Sequence, residues 1–179
     1  MLQTLPDTIS ASVFNDRAGC IARTAGKLAG RGWTPATSSN FSMRVDADHA
    51  AITISGRDKG KLGHDDVMLI DMHGRAVGTE ARPSAETALH THIYRRFPAA
   101  GAVLHTHSRT QSVASRLFAA GGVVRLQGWE LQKAISGHDT HEGVLEIPVF
   151  PNTQHMPELV ARVDAGLDAG KPLYAYLID

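Results

Sequence analysis

Only one cysteine, Cys20, occurs in the 179 residues. One thiol excludes an internal disulfide, and a reducing, cytoplasmic setting is expected. Cys20 sits in an apolar-periodic stretch with Ile21, Ala25 and Leu28, so it reads as core rather than nucleophile. No apolar run approaches the length of a membrane span. The opening MLQTLPDTIS lacks the basic start and apolar run of a signal peptide. An excess of one charge is also missing: 18 Lys and Arg balance 18 Asp and Glu. Without a like-charge block, nothing in the composition supports a nucleic-acid or membrane-surface role. No repeat, low-complexity tract or linker interrupts the chain, and one domain over residues 1–179 is expected.

Histidine, by contrast, is plentiful, with ten residues. It is the commonest metal ligand and titrates near neutrality. The periodicity predicts a long amphipathic helix from Thr8 to Ala29, stopped by Gly30 and Gly32. Short strands are expected at Phe41–Val45, Ala51–Ser55 and Val67–Ile70, with glycines and aspartates between them. A second helix opens at Pro83-Ser84-Ala85-Glu86, with Ser84 as N-cap and Glu86 in the first turn, and ends at Pro98. A buried strand at Ala102–His105 follows, then a helix from Ser108 to Ala119. The remaining expectations are a short helix or turn at Trp129–Ile135, a strand at Leu145–Phe150, a helix at Pro157–Ala169 and a strand at Pro172–Ile178. Interleaved strands and helices argue for α/β layering, with helices covering a central sheet.

Leu-His-Thr-His occurs twice, at 89–92 and at 104–107. On a helix, residues i and i+2 lie about 200° apart, so His90 and His92 should diverge and serve as surface or helix-packing residues. On a strand, i and i+2 share a face, so His105 and His107 should converge. Two converging imidazoles can share a metal such as zinc.

Three segments around this pair suit an anion. Thr37-Ser38-Ser39-Asn40 is a cluster of small hydroxyl and amide side chains before a strand. Ser55-Gly56 is a turn at a strand end with Arg57 and Lys59 nearby, and such turns present backbone N–H groups to phosphate. Ser84 at a helix start offers a third set of N–H donors. Two carboxylates are candidates for proton transfer. Glu86 lies beside the Ser84 turn, and Glu130 follows Trp129, whose apolar surface could raise a carboxyl pKa toward neutrality.

Taken in order, Thr37-Ser38-Ser39-Asn40-Phe41-Ser42, Thr53-Ile54-Ser55-Gly56, Pro83-Ser84-Ala85-Glu86 and Gly101-Ala102-Val103-Leu104-His105-Thr106-His107 resemble the class II aldolase/adducin family. The resemblance runs from about Arg17 to Ile178. It implies a three-layer α/β/α fold with a central mixed sheet and a homotetramer with sites at subunit boundaries. It implies one Zn2+ per subunit on His105 and His107, and phosphate binding around Thr37, Asn40, Ser55, Gly56 and Ser84. Within the family, Ser55-Gly56-Arg57-Asp58-Lys59-Gly60 and Leu126-Gln127-Gly128-Trp129-Glu130-Leu131-Gln132-Lys133-Ala134 are most similar to a dehydratase branch of methionine salvage. That similarity implies a cytoplasmic hydro-lyase acting on a small phosphorylated ketose, with Glu130 at the acid/base position. Glu86 matches the catalytic glutamate of the sugar-phosphate aldolases.

The competing readings are a class II aldolase or 4-epimerase, which would cleave C3–C4, and a metal-free interaction module like the adducin head. One departure is noted. The family carries a third zinc-binding histidine in a turn after the last strand, and here the sequence stops at Asp179. A longer natural chain is the expectation; His138, His141 and His155 are the other candidates for that position.

Overall fold

The computed structural model describes residues 3–167 and 174–179. Contacts divide the chain into two compact units, 1–108 and 109–179.

The first unit is built on a four-stranded antiparallel sheet of order β3-β2-β1-β4, with β1 at Asn40–Arg44, β2 at His49–Thr53, β3 at Val67–Asp71 and β4 at Ala102–His105. Strand alternation gives the sheet two different faces. Phe41, Ala51, Val67 and Leu69 point to one side. There they pack on Phe14, Ala18, Ile21 and Ala25 of helix α1, Ala11–Gly30. Ala50, Ile52, Met68 and Ile70 point to the other side, against Tyr94 of helix α2, Thr87–Arg96. Each sheet face is thus covered by one helix, the α/β/α layering expected from the sequence. Phe41 and Ala51 are fully buried. Truncating Phe41 to alanine would cost about 3–5 kcal/mol by cavity formation.

Element positions agree with the sequence reading to within a few residues, with two exceptions in this unit. Helix α2 begins at Thr87, not at the Ser84 turn. Its N-cap is Glu86, whose side chain makes no capping bond, and the Ser84 hydroxyl is committed elsewhere. Strand β4 was expected to be buried, yet its exposure alternates, with Leu104 at 53%.

The second unit comprises helix α3 (Arg109–Phe118), β5 (Val123–Leu126), a 3-10 turn at Glu130–Ala134, β6 (Leu145–Phe150), helix α4 (Met156–Gly166) and β7 (Leu177–Ile178). Strand β6 pairs antiparallel with β5 and parallel with β7. Val149, Phe150, Leu159 and Val163 are buried. Strand β5 was not anticipated. Four residues with Arg125 in the middle give too short an alternation to register as a strand. The expected strand from Pro172 and the helix end at Asp168 and Ala169 fall partly outside the described residues. No helix among the described residues is long and apolar enough to cross a membrane.

Candidate active site

On the α2 face of the sheet, β1 presents polar side chains at every second position: Asn40, Ser42 and Arg44. Helix α2 and its N-cap answer at every fourth: Glu86, His90 and Tyr94. Two strand residues advance about 6.6–6.8 Å and four helical residues about 6 Å, so the two repeats stay nearly in step. Asn40 Nδ2 donates to Glu86 Oε2 at 2.6 Å, and His90 Nε2 lies 2.6 Å from Asn40 Oδ1. Ser42 Oγ lies 2.7 Å from His90 Nδ1 and 2.8 Å from the Tyr94 hydroxyl. Arg44 donates to the Tyr94 and Ala100 carbonyls and stacks over the Tyr94 ring at 4.7 Å.

Ser42, Tyr94 and His90 are almost wholly inaccessible. Buried polar groups are costly unless bonded, and here they bond one another. Burial pushes the His90 imidazole down to about 3, helped by nearby His105, and pushes the Tyr94 phenol up to about 12.

The β1–β4 register places Asn40 opposite His105. Strand β4 ends at His105, and His107 lies just beyond it, its backbone N–H donating to the Trp33 carbonyl at 2.8 Å. The convergence read from the sequence holds across this strand end: the two rings stand 4.6 Å apart, centre to centre, tilted by 40°. Burial lowers the His105 pKa, as does His107, while nearby Glu86 opposes the shift. His105 Nδ1 is buried and has no hydrogen-bond partner among the described residues. Two converging imidazoles, one kept neutral with an unshared buried nitrogen, fit a divalent cation. In contrast, His90 and His92, the other Leu-His-Thr-His copy, are both buried on α2, and His90 is bonded to Asn40 and Ser42 of β1.

Two turns flank this pair. Ser39 and Gly56 both have left-handed backbones, at φ 74° in each case. Ser55 and Gly56 are exposed. From the sequence, Arg57 or Lys59 is expected to add positive charge beside the Ser55-Gly56 turn. Instead, Lys59 is 1% exposed, its amine donating to the Thr37 carbonyl at 3.0 Å and the Arg57 carbonyl at 2.6 Å. It fastens one turn to the other from beneath. Burial lowers its pKa against the opposing pull of Asp58, Glu86 and Asp66. Arg57 is largely exposed and pairs with Asp66 at 3.1 Å. The Ser84 hydroxyl is buried, donating to the Thr53 carbonyl at 2.8 Å. Any anion contact by Ser84 would therefore be through its backbone.

Glu130 belongs to the second unit. Its 3-10 turn is held by buried Gln132, which donates to the Leu126 and Gly143 carbonyls and accepts the Trp129 N–H. The expected upward shift of the Glu130 pKa does not occur. Trp129 is 59% exposed and gives Glu130 no apolar cover. The bond from Lys133 at 2.7 Å, with His141 at 3.0 Å, pulls the carboxyl below its ordinary range. Of the other histidines considered as ligands, His141 is thus occupied by Glu130, His138 lies edge-on to the Tyr174 ring, and His155 is the N-cap of α4.

Residues 20–178 match the family model of the class II aldolase and adducin N-terminal domain. The chain belongs to this family. It is 54% identical over 176 residues to the methylthioribulose-1-phosphate dehydratase of Xanthomonas euvesicatoria pv. vesicatoria, covering 98% of this chain and 81% of that protein. The protein of the same name from Stenotrophomonas maltophilia is 59% identical over 153 residues, 86% of this chain and 71% of the relative. Among solved structures, an L-fuculose 1-phosphate aldolase superposes with a TM-score of 0.69 at 23% identity, covering 88% of this chain and 68% of the other. That likeness establishes the class II aldolase fold.

Helical spacing alone assigns His90 to the surface or to helix packing and does not reveal this ladder. The signal was present as Asn-x-Ser-x-Arg in one element and Glu-x-x-x-His-x-x-x-Tyr in the other. Only the register brings the two together.

Proposed function

We propose that the protein dehydrates 5-methylthioribulose 1-phosphate to 2,3-diketo-5-methylthiopentyl 1-phosphate, as a lyase of methionine salvage. The observation that carries this reading is the convergence of His105 and His107 beside Asn40 and Glu86, flanked by two anion-type turns. The names of the relatives supply the substrate. A cytoplasmic homotetramer with sites at subunit boundaries belongs to the same proposal.

His105 and His107 would hold the divalent cation, proposed to be Zn2+. Bound there, it would supply Lewis-acid polarisation of the substrate carbonyl. The residues themselves do the rest. The turns around Thr37, Asn40, Ser55, Gly56 and Ser84 grip the phosphate and fix C3 and C4 in place, with the Ser55 N–H itself held by the Arg82 carbonyl at 3.0 Å. Glu130 carries the proton transfer that removes the C3 proton and helps the C4 hydroxyl leave as water. Its exposed carboxylate has acceptor oxygens, and Lys133 and His141 are its hydrogen-bonding partners. Glu86, beside His105, orients the substrate end nearest the imidazoles.

Glu130→Gln tests the assignment. Turnover should vanish, with metal content and melting temperature unchanged. Normal turnover in this variant would remove Glu130 from the mechanism. Diketone formation without release of a small aldehyde separates dehydration from C3–C4 cleavage.

A further inference from the structure

The β1–α2 ladder has a direction that follows from donor and acceptor inventory alone. A carboxylate only accepts, so the Asn40 atom 2.6 Å from Glu86 is the NH2 group. Asn40 Oδ1 then faces His90 Nε2 and must receive its proton, which makes His90 the Nε2–H tautomer. Its Nδ1 is consequently an acceptor, and the hydrogen it accepts is the hydroxyl proton of Ser42. Ser42 has no second proton, so the Tyr94 hydroxyl donates to Ser42 Oγ. Each proton has one place to go, from Tyr94 through Ser42, His90 and Asn40 to Glu86.

We propose that His90 is a positioning residue: locked as the Nε2–H tautomer, it orients the Asn40 amide, and through it Glu86, at the His105–His107 site. The alternatives are poor. An Asn40 amide turned over would set its oxygen against the Glu86 carboxylate. The opposite His90 tautomer would set a bare nitrogen against Asn40 Oδ1 and an N–H against Ser42. Burial removes the water that could mend either fault. The link to turnover rests on the dehydratase reading; the tautomer and the amide orientation do not.

Two substitutions divide the imidazole between its nitrogens. Gln places its amide near the former Nε2 and keeps a donor to Asn40. Asn is shorter, reaches only the Nδ1 position toward Ser42 and leaves Asn40 without its donor. Outer partners of this kind are worth about 10–100-fold in activity, so His90→Asn should lose at least about tenfold in kcat, while His90→Gln stays within about threefold of the parent. Both should bind stoichiometric zinc and melt within a few degrees of each other. A merely space-filling histidine would make the two variants lose activity together, in proportion to lost stability, and that result would overturn the proposal. Long-range 1H–15N spectra of histidine-labelled protein, assigned by the signals missing in His90→Gln, read the tautomer directly. A protonated Nε2 and bare Nδ1 support the proposal, and a protonated Nδ1 refutes it. If the unaltered protein fails to turn over the phosphoketose, the dehydratase reading falls, and the spectra still decide the tautomer.

Discussion

Asn40 faces His105 directly across the antiparallel β1–β4 pair. Directly opposed residues keep their Cβ atoms about 4.5–5.5 Å apart. A side chain suited to an anion and one suited to a cation are therefore held side by side by the sheet itself.

Removing either imidazole should remove the metal. His105→Ala and His107→Ala are each expected to weaken Zn2+ binding by at least about 100-fold, more than the 10–100-fold typical of an outer partner. Titration of metal-stripped protein followed by calorimetry measures this. Stoichiometric, tight zinc in either variant would place the metal elsewhere.

Lys59 and Arg57 should part company despite lying two residues apart. Lys59→Met deletes a buried cation and strips its bond from the Thr37 and Arg57 carbonyls. Unsatisfied buried groups cost about 1–3 kcal/mol each, so a loss of about 2–4 kcal/mol is expected. Arg57→Ala removes an exposed ion pair with Asp66 worth about 0.2–1 kcal/mol. Denaturant midpoints compare the two. Equal losses would show that Lys59 does not tie the turns together.

Gly56 isolates backbone conformation from packing. An added Cβ would meet nothing within 4 Å, yet φ is +74°. Gly56→Ala should cost about 1–2 kcal/mol from the left-handed backbone alone, unless the turn relaxes to escape it. Relaxation would swing the turn's N–H groups away from the phosphate. The expected result is a raised KM for the phosphorylated ketose at nearly unchanged kcat. An unaltered KM would take this turn out of the phosphate site.

His90 should also make the apoprotein acid-sensitive. Its pKa is lowered from 6.5 to about 3 on folding, chiefly by burial. Below pH 6.5 the unfolded chain binds a proton that the native chain refuses. This stabilising contribution is whole above pH 6.5 and is lost as pH falls toward 3, at up to about 1.4 kcal/mol per pH unit. Urea unfolding of metal-free protein between pH 7 and 4 should show a shallower decline in His90→Gln. Parallel slopes would mean that His90 is protonated in the native state.

The fold was legible where period and punctuation agreed. Ile21 and Ala25 marked the buried face of α1, and Leu145–Phe150 emerged with its expected bounds. The His105–His107 convergence was legible too, although β4 ends at His105 and only the first of the pair lies on the strand. Less accessible was anything set by burial. Lys59 carries the same charge in the sequence whether it meets solvent or two carbonyls. Trp129 offered apolar cover for Glu130 only if it folded over that residue, and it does not. Ser84 looked like a cap because it precedes a helix, but Thr53 on a distant strand claims its hydroxyl.

The opposition of Asn40 and His105 also determines how this protein tolerates change. Side-chain substitution alters the chemistry at a fixed address, whereas a one-residue slip of β4 alters the address. It would turn Leu104 toward α2 and carry His105 to the opposite side of the sheet. Point-mutation libraries should therefore retain many active members that explore new substrates. Single deletions between Phe97 and Ala102 that pull β4 out of register should yield folded chains that have lost metal and substrate together.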